Sequence, residues 1–258
     1  MPVERQLGRL PFATRINVPD TVRGAELEIV FAGGGAEATL EQIEQSFSQF
    51  VVAAQAGMLS GDAVHPSESL FRVESHERRS GETRYRCSVR GVDRGAFRIL
   101  LNVAAEICRR LEPLETVAIW GGTAGAQDSG LAEILGRRYP GSARRIPFEL
   151  RVSEFFFENR EPLIRMEFRR ELLDDEFESI RTMVEAWDHI LMFGGYLDLD
   201  ERDGDLMPEP GEFFLAEPLV IEHLLYAYQG PAESFNPVIN MGVKLHESGC
   251  QLSVLEIE

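Results

Sequence analysis

The run Gly33-Gly34-Gly35-Ala36-Glu37-Ala38 places glycines where a backbone could close on a phosphate. Gly33-x-Gly35-x-x-Ala38 matches the relaxed dinucleotide fingerprint, between an alternating strand and an amphipathic helix. Its surroundings point elsewhere. The next strands read as a hairpin, and no acidic residue stands about 20 positions on to hold a ribose. A flexible strand-to-helix turn is the simpler use of these glycines.

Eight arginines, at 72, 78, 79, 84, 86, 90, 94 and 98, fall within 27 residues. Arg84, Arg86 and Arg90 share one face of a strand, so with Arg72 and Gly33, Gly34 and Gly35 they are the candidate anion-binding residues. Docking between halves or subunits, against acidic residues elsewhere in the chain, is the use expected for them. The loop from Asp198 through Asp200, Glu201, Asp203 and Asp205 has carboxylates at the density of a calcium loop. The register fails: counted from Asp198, position 5 is Arg202 and the glycine comes at 7, where a calcium loop has it at 6. These five acids are read as a solvated turn and as the candidate partner-binding residues.

The five histidines form no ligand pair, and His189, four residues after Glu185, reads as a helix-surface hydrogen bonder. Cys87, Cys108 and Cys250 lack any C-x-x-C spacing, which argues against a disulfide framework and a zinc site. No serine sits in a G-x-S-x-G elbow. No catalytic residue, metal or cofactor is therefore assigned.

The elements that carry these residues repeat. Leu40, Ile43, Phe47, Phe50 and Ala54 follow a 3-4-3-4 helical spacing, and Phe177, Ile180, Val184, Trp187 and Leu191 follow it again 137 positions later. Leu27, Ile29 and Phe31 alternate as a half-buried strand, matched by Ile164, Met166 and Phe168. Phe97, Leu100, Leu101, Ala104 and Ile107 are echoed at an offset of 138 by Phe235, Val238, Ile239, Gly242 and Leu245, with Asn102 falling on Asn240. Thr39 with Gln42 reads as a capping box for the first helix, and Asp93 and Ser234 as caps for later ones.

This pattern predicts an α+β protein, an internal duplication of a ββαββαβ unit, with a mostly antiparallel sheet and two helices on one face in each half. The expected divisions are residues 1–122, a connector at 123–145 with a short helix from Leu131 to Arg137, and 146–258. Glu212 to Tyr228 is so apolar that its strand pair is expected to be buried on both faces, inside the chain or in a homo-oligomer.

Composition sets the functional expectation. The net charge is -17, and it is uneven: residues 1–137 carry 18 acids and 15 bases, the rest 25 acids and 11 bases. Such a field repels phosphate backbones, which excludes nucleic acid as a general partner and favours a basic protein. No apolar run approaches the ~20 residues of a membrane span, and the amino end has no apolar signal core, so a cytoplasmic address is expected. Lysine occurs only at Lys244 among 26 bases, which suggests a GC-rich bacterial genome. The reading is a non-enzymatic acidic protein-binding protein that resembles bacterial immunity proteins in general style, neutralising a basic partner. The alternative is an enzyme, or a binder of small molecules or anions, using a cleft between the halves.

Overall fold

A computed structural model describes residues 10–121, 130–136, 139–153, 161–197, 209–228 and 230–258. The protein is α+β, with two five-stranded, mostly antiparallel sheets and five α-helices among these residues. The first sheet contains β1 (Ala13–Asn17), β2 (Ala25–Ala32), β3 (Leu70–Arg79), β4 (Glu82–Arg90) and β5 (Thr116–Gly121), in the order β1-β5-β2-β4-β3. The second contains β6 (Glu149–Val152), β7 (Leu163–Phe168), β8 (Glu209–Glu217), β9 (Val220–Tyr226) and β10 (Leu252–Ile257), in the order β6-β10-β7-β9-β8. The two orders are the same when read half against half. In each sheet the last strand slots between the first two and runs parallel to the outer one.

Two long helices connect the strands of the first sheet, α1 (Glu37–Gln55) and α2 (Gly95–Arg110). A short helix, α3 (Gly130–Gly136), follows, one position earlier than the sequence pattern predicts at its start. The second sheet carries α4 (Asp174–Met192) and α5 (Asn236–Leu245). The apolar stripes decide how these helices lie. Leu40, Ile43, Phe47, Phe50 and Ala54 are all buried under α1, and Ile180, Val184, Trp187 and Leu191 under α4. Each fully buried large side chain contributes roughly 1.5–3 kcal/mol relative to exposure.

One stripe cannot explain α2, whose residues from Gly95 to Cys108 are all buried, or α5, which is buried almost all round. A helix wet on one side would keep a polar face there. Here α1 packs directly on α4, α5 lies against β10 and against the Pro66–Glu68 turn of the other half, and α2 packs on α1 and reaches the other half through Asn102 and Arg110. The buried side chains of both halves form one continuous core.

Three local expectations are corrected. Thr39 does not cap α1: its hydroxyl donates to the Glu112 carbonyl at 2.7 Å, and the helix begins at Glu37. Ser234 lies in a tight turn where its hydroxyl donates to the Pro231 carbonyl at 2.7 Å, outside α5. Asp93 does serve the start of α2, accepting the Gly95 N–H at 2.6 Å. The strand pair from 212 to 228 is not buried on both faces either. β9 alternates buried and half-buried positions, but β8 is the edge of its sheet and mostly exposed.

The halves join through a set of matched contacts. α1 and α4 end in the same way, with glycines at positive φ, Gly57 (76°) and Gly194 (63°), just past the last turn. A left-handed residue there turns the chain back on the helix and lets the next amides reach orphan carbonyls. Accordingly Met58 N donates to the Ala53 carbonyl at 3.1 Å and Gly195 N to the Ile190 carbonyl at 2.9 Å. Asn102 of α2 then donates to the Gly195 carbonyl at 3.0 Å, while Asn240 of α5 donates to the Met58 carbonyl at 3.3 Å. Cations repeat the pattern, with Arg110 donating to the Met192 carbonyl at 3.0 Å and Lys244 donating to the carbonyl of Gln55. Met192 and Gln55 close the two helices, where positive charge suits the dipole.

Candidate functional site

The arginine-bearing hairpin β3–β4 is positioned by strand alternation. Thr83, Tyr85, Cys87 and Val89 point into the core, which turns Arg84, Arg86 and Arg90 to the opposite face of the sheet. That face lies away from the helices through which the halves meet, so these arginines do not dock the halves. Arg84 is satisfied within its own half, 2.9 Å from Glu28 and 3.0 Å from Glu82. Neighbouring Arg78 reaches back to α1, meeting Glu37 at 2.5 Å and Glu44 at 2.8 Å. Arg72, Arg86 and Arg90 are exposed and make no ion pair among the described residues.

The glycine turn is occupied by the chain itself. Gly33 N donates to the Gly81 carbonyl at 2.8 Å and Gly34 N to Glu115 Oε1 at 3.2 Å. Glu37, in the first turn of α1, accepts the Gly81 N–H at 3.0 Å and is held below the usual carboxylate range by that bond and by Arg78. A phosphate would have to displace a carboxylate from this helix end. The turn also stands apart from the arginines. Arg84 pairs with Val30 near the turn, whereas Arg90 pairs with Leu70, about 20 Å further along β4 at strand rise. The structure does not bring Gly33–Gly35, Arg72 and Arg90 into one site.

Asp198, Asp200, Glu201, Asp203 and Asp205 lie outside the described residues, which resume at Glu209 in β8. His189 is not the surface hydrogen bonder predicted. Its Nε2 meets Ser46 Oγ of α1 at 2.8 Å, across the junction of the halves, and burial lowers its pKa. The space between the halves is filled in the same region by Arg110, whose guanidinium lies 4.9 Å above the Phe193 ring. A gap beneath α1 and α2, lined by Phe31, Ile43, Ser46, Phe47, Leu100 and Ile107, is too narrow for a water molecule.

Sequence reasoning missed one pair of titratable groups. Asp188 of α4 and His223 of β9 are 6% and 1% exposed, and Asp188 Oδ2 stands 3.9 Å from His223 Nε2. Helix period places Asp188 beside Trp187 on the buried side, and strand alternation turns His223 inward between Ile221 and Leu225. Asp188 Oδ2 accepts the Gly211 N–H of β8 at 2.7 Å, while among the described residues the ring nitrogens of His223 make no well-formed hydrogen bond, with the Glu212 backbone as a polar neighbour. Burial lifts the Asp188 carboxyl to about 6, against the pull of the Gly211 N–H, and lowers the His223 imidazole to about 4. A substituent on Gly211 would strike the His223 ring at 2.4 Å, so the imidazole is sealed behind β8. Among the described residues the pair is closed off from solvent. The inward position of His223 was the available signal in the sequence; its partner, 35 positions away, was not.

The buried thiols are likewise inert, since burial pushes Cys87 up to about 12 and raises Cys108 and Cys250. Among the described residues no group of acidic, histidine or cysteine side chains is placed to hold a metal ion, and no helix is long and apolar enough to cross a membrane.

No family model matches the chain, and no curated protein matches it. Among solved structures, it shows a faint likeness to the periplasmic protease PqqL from Escherichia coli, at 12% identity and a TM-score of 0.16, over 87% of this chain and 34% of that one. The chain thus spans about a third of that protein's length. Against the first half of PqqL the identity is 11% and the TM-score 0.19, over 84% of this chain and 69% of that one. Likenesses at this level carry no argument about fold or function.

Proposed function

We propose that the chain is a non-enzymatic acidic protein of two duplicated halves that binds and neutralises a basic protein partner, as a bacterial, cytoplasmic immunity-type protein would. The observation that carries this reading is charge that the chain cannot neutralise itself. The part after residue 137 has 25 acids against 11 bases, while the earlier part is nearly balanced at 18 against 15. The arginines that might have offset the excess are partly spent at home, on Glu28, Glu82, Glu37 and Glu44. A surplus of this size raises the association rate with a positively charged surface.

Asp198, Asp200, Glu201, Asp203 and Asp205, with the acids of β8 that follow them in the chain, are the residues proposed to meet the partner. The duplication is supported by the shared strand order and by the matched helix ends. The domain limits proposed are 1–122, a connector at 123–145 and 146–258. Against a ligand-binding cleft stand the packed junction of the halves and the internal partners of Gly33, Gly34 and Arg84.

The test is capture from host lysate by the immobilised full chain, at low and at moderate salt, followed by identification of what is retained. The reading expects one basic protein, held less tightly but still held at the higher salt. Retention of nothing specific, or of acidic proteins alone, overturns it.

A further inference from the structure

The two sheets differ at their outer edges. β3 closes the first sheet with Arg72, Glu74, His76, Glu77 and Arg79 exposed, a mixture of signs that discourages another strand from pairing there. β8 occupies the equivalent edge of the second sheet and is guarded differently: Pro210 and two bulges break it towards its ends, and only Glu212 to Leu215 keeps a regular register. Phe214 is 40% exposed, Leu215 52%, and Leu219 at the following turn 39%. The charges on β8 are all of one sign, from Glu209, Glu212 and Glu217. Among the described residues no further strand pairs with its outer side.

From this we propose that the edge of β8 is a docking surface for an extended, basic segment of a partner protein, which adds to the second sheet as a sixth strand. The inference rests on the proposed binding of a basic protein and names the surface that does it. Strand addition draws its affinity from main-chain hydrogen bonds along an open edge and its selectivity from alternate side chains. Here Phe214 on one face of the sheet and Leu215 on the other receive apolar side chains of the incoming strand, and Glu209, Glu212 and Glu217 receive its lysines or arginines. Charge selects this occupant over a second copy of the same chain. Two β8 edges brought together would set glutamates against glutamates, and like charges on paired strands destabilise the pairing.

The experiment uses the full chain and the variant F214K/L215K, whose altered positions are exposed and leave the core untouched. Each is titrated by fluorescence anisotropy with a short labelled peptide of alternating lysine and valine. Two controls are the same peptide N-methylated at alternate backbone amides and a glutamate–valine counterpart. The proposal expects the lysine peptide to bind the natural chain at least about tenfold more tightly than either control, and the variant to lose about tenfold or more. Equal binding of the methylated peptide overturns strand addition without reference to any variant. Equal binding by F214K/L215K overturns the choice of surface. The capture assay separates the two claims: if the variant retains the same basic protein as the natural chain, β8 is the wrong surface and protein binding stands. If neither retains one, both fall. A concentration-dependent dimer that F214K/L215K abolishes would assign the edge to a second copy and overturn the proposal.

Discussion

Asn102 and Asn240 stand 138 positions apart in the chain, and each donates its side-chain amide across the junction to the turn that ends the other half's first helix. The acceptors, the carbonyls of Gly195 and Met58, are equivalent to each other as the two asparagines are. Such reciprocity is the signature of a self-complementary interface, here contained within one chain. Both side chains are buried, so truncation leaves a carbonyl without its partner. Asn102→Ala and Asn240→Ala should each cost about 1–3 kcal/mol of stability, read from urea unfolding. Losses well under that for both would mean that the matched contacts do not hold the halves together.

The glycines that shape these turns give a second prediction. Gly57→Ala forces a side chain into a left-handed position and drives its Cβ to 2.6 Å from the Pro66 carbonyl oxygen. The expected cost exceeds about 1 kcal/mol, the ordinary penalty for alanine at positive φ. Gly194→Ala meets the same backbone strain. Thermal melts in which both variants match the natural chain would contradict the geometry of the helix ends.

The Asp188–His223 pair makes a prediction about pH. The folded pKa of Asp188, about 6, lies above its ordinary value of 3.8, so its contribution is most favourable at low pH and is lost as pH rises through 6. The folded pKa of His223, about 4, lies below 6.5, so its contribution is present above 6.5 and is lost as pH falls through 4. Between about pH 4 and 6 the two slopes oppose each other, and the natural chain should show little net dependence from this pair. Single variants unmask each slope. Asp188→Asn, which can still accept the Gly211 N–H, should lose stability on acidification from pH 6.5 to 4. His223→Leu should lose it on raising the pH from 4 to 6. The expected size is on the order of 2–3 kcal/mol in each case, from unfolding at several pH values. Parallel slopes in the two variants would contradict the assignment.

The thiols offer a simpler check. Cys87, Cys108 and Cys250 are free and buried. In the native state they should react with a thiol reagent far more slowly than in denaturant, where all three should titrate at once. A thiol that reacts fully without unfolding would contradict its burial.

Helices and most strands were legible because apolar spacing reports which face is buried, as Leu40 to Ala54 and Leu27 to Phe31 do. What the spacing does not report is the neighbour that does the burying. Asn102 aligned with Asn240 in the sequence, but nothing local shows that each reaches a carbonyl in the other half. The same blindness misplaced β8. An apolar run such as Phe213-Phe214-Leu215 reads as doubly buried, while its exposure follows from strand order, which places it at an edge. Thr39 has the spacing of a cap, but its hydroxyl finds its acceptor 73 residues away, at the Glu112 carbonyl. The arginine cluster was seen, but its partners Glu28 and Glu82 depend on the register of β2 against β4.

The binding proposed for this acidic chain is to a basic protein. Its most direct test is the affinity of the captured partner for the full chain, measured by titration calorimetry across a series of salt concentrations. The expected result is saturable binding that weakens by about tenfold or more as salt is raised through the physiological range, as where opposite charges meet. Affinity indifferent to salt, or no saturable binding at any salt concentration, would contradict it.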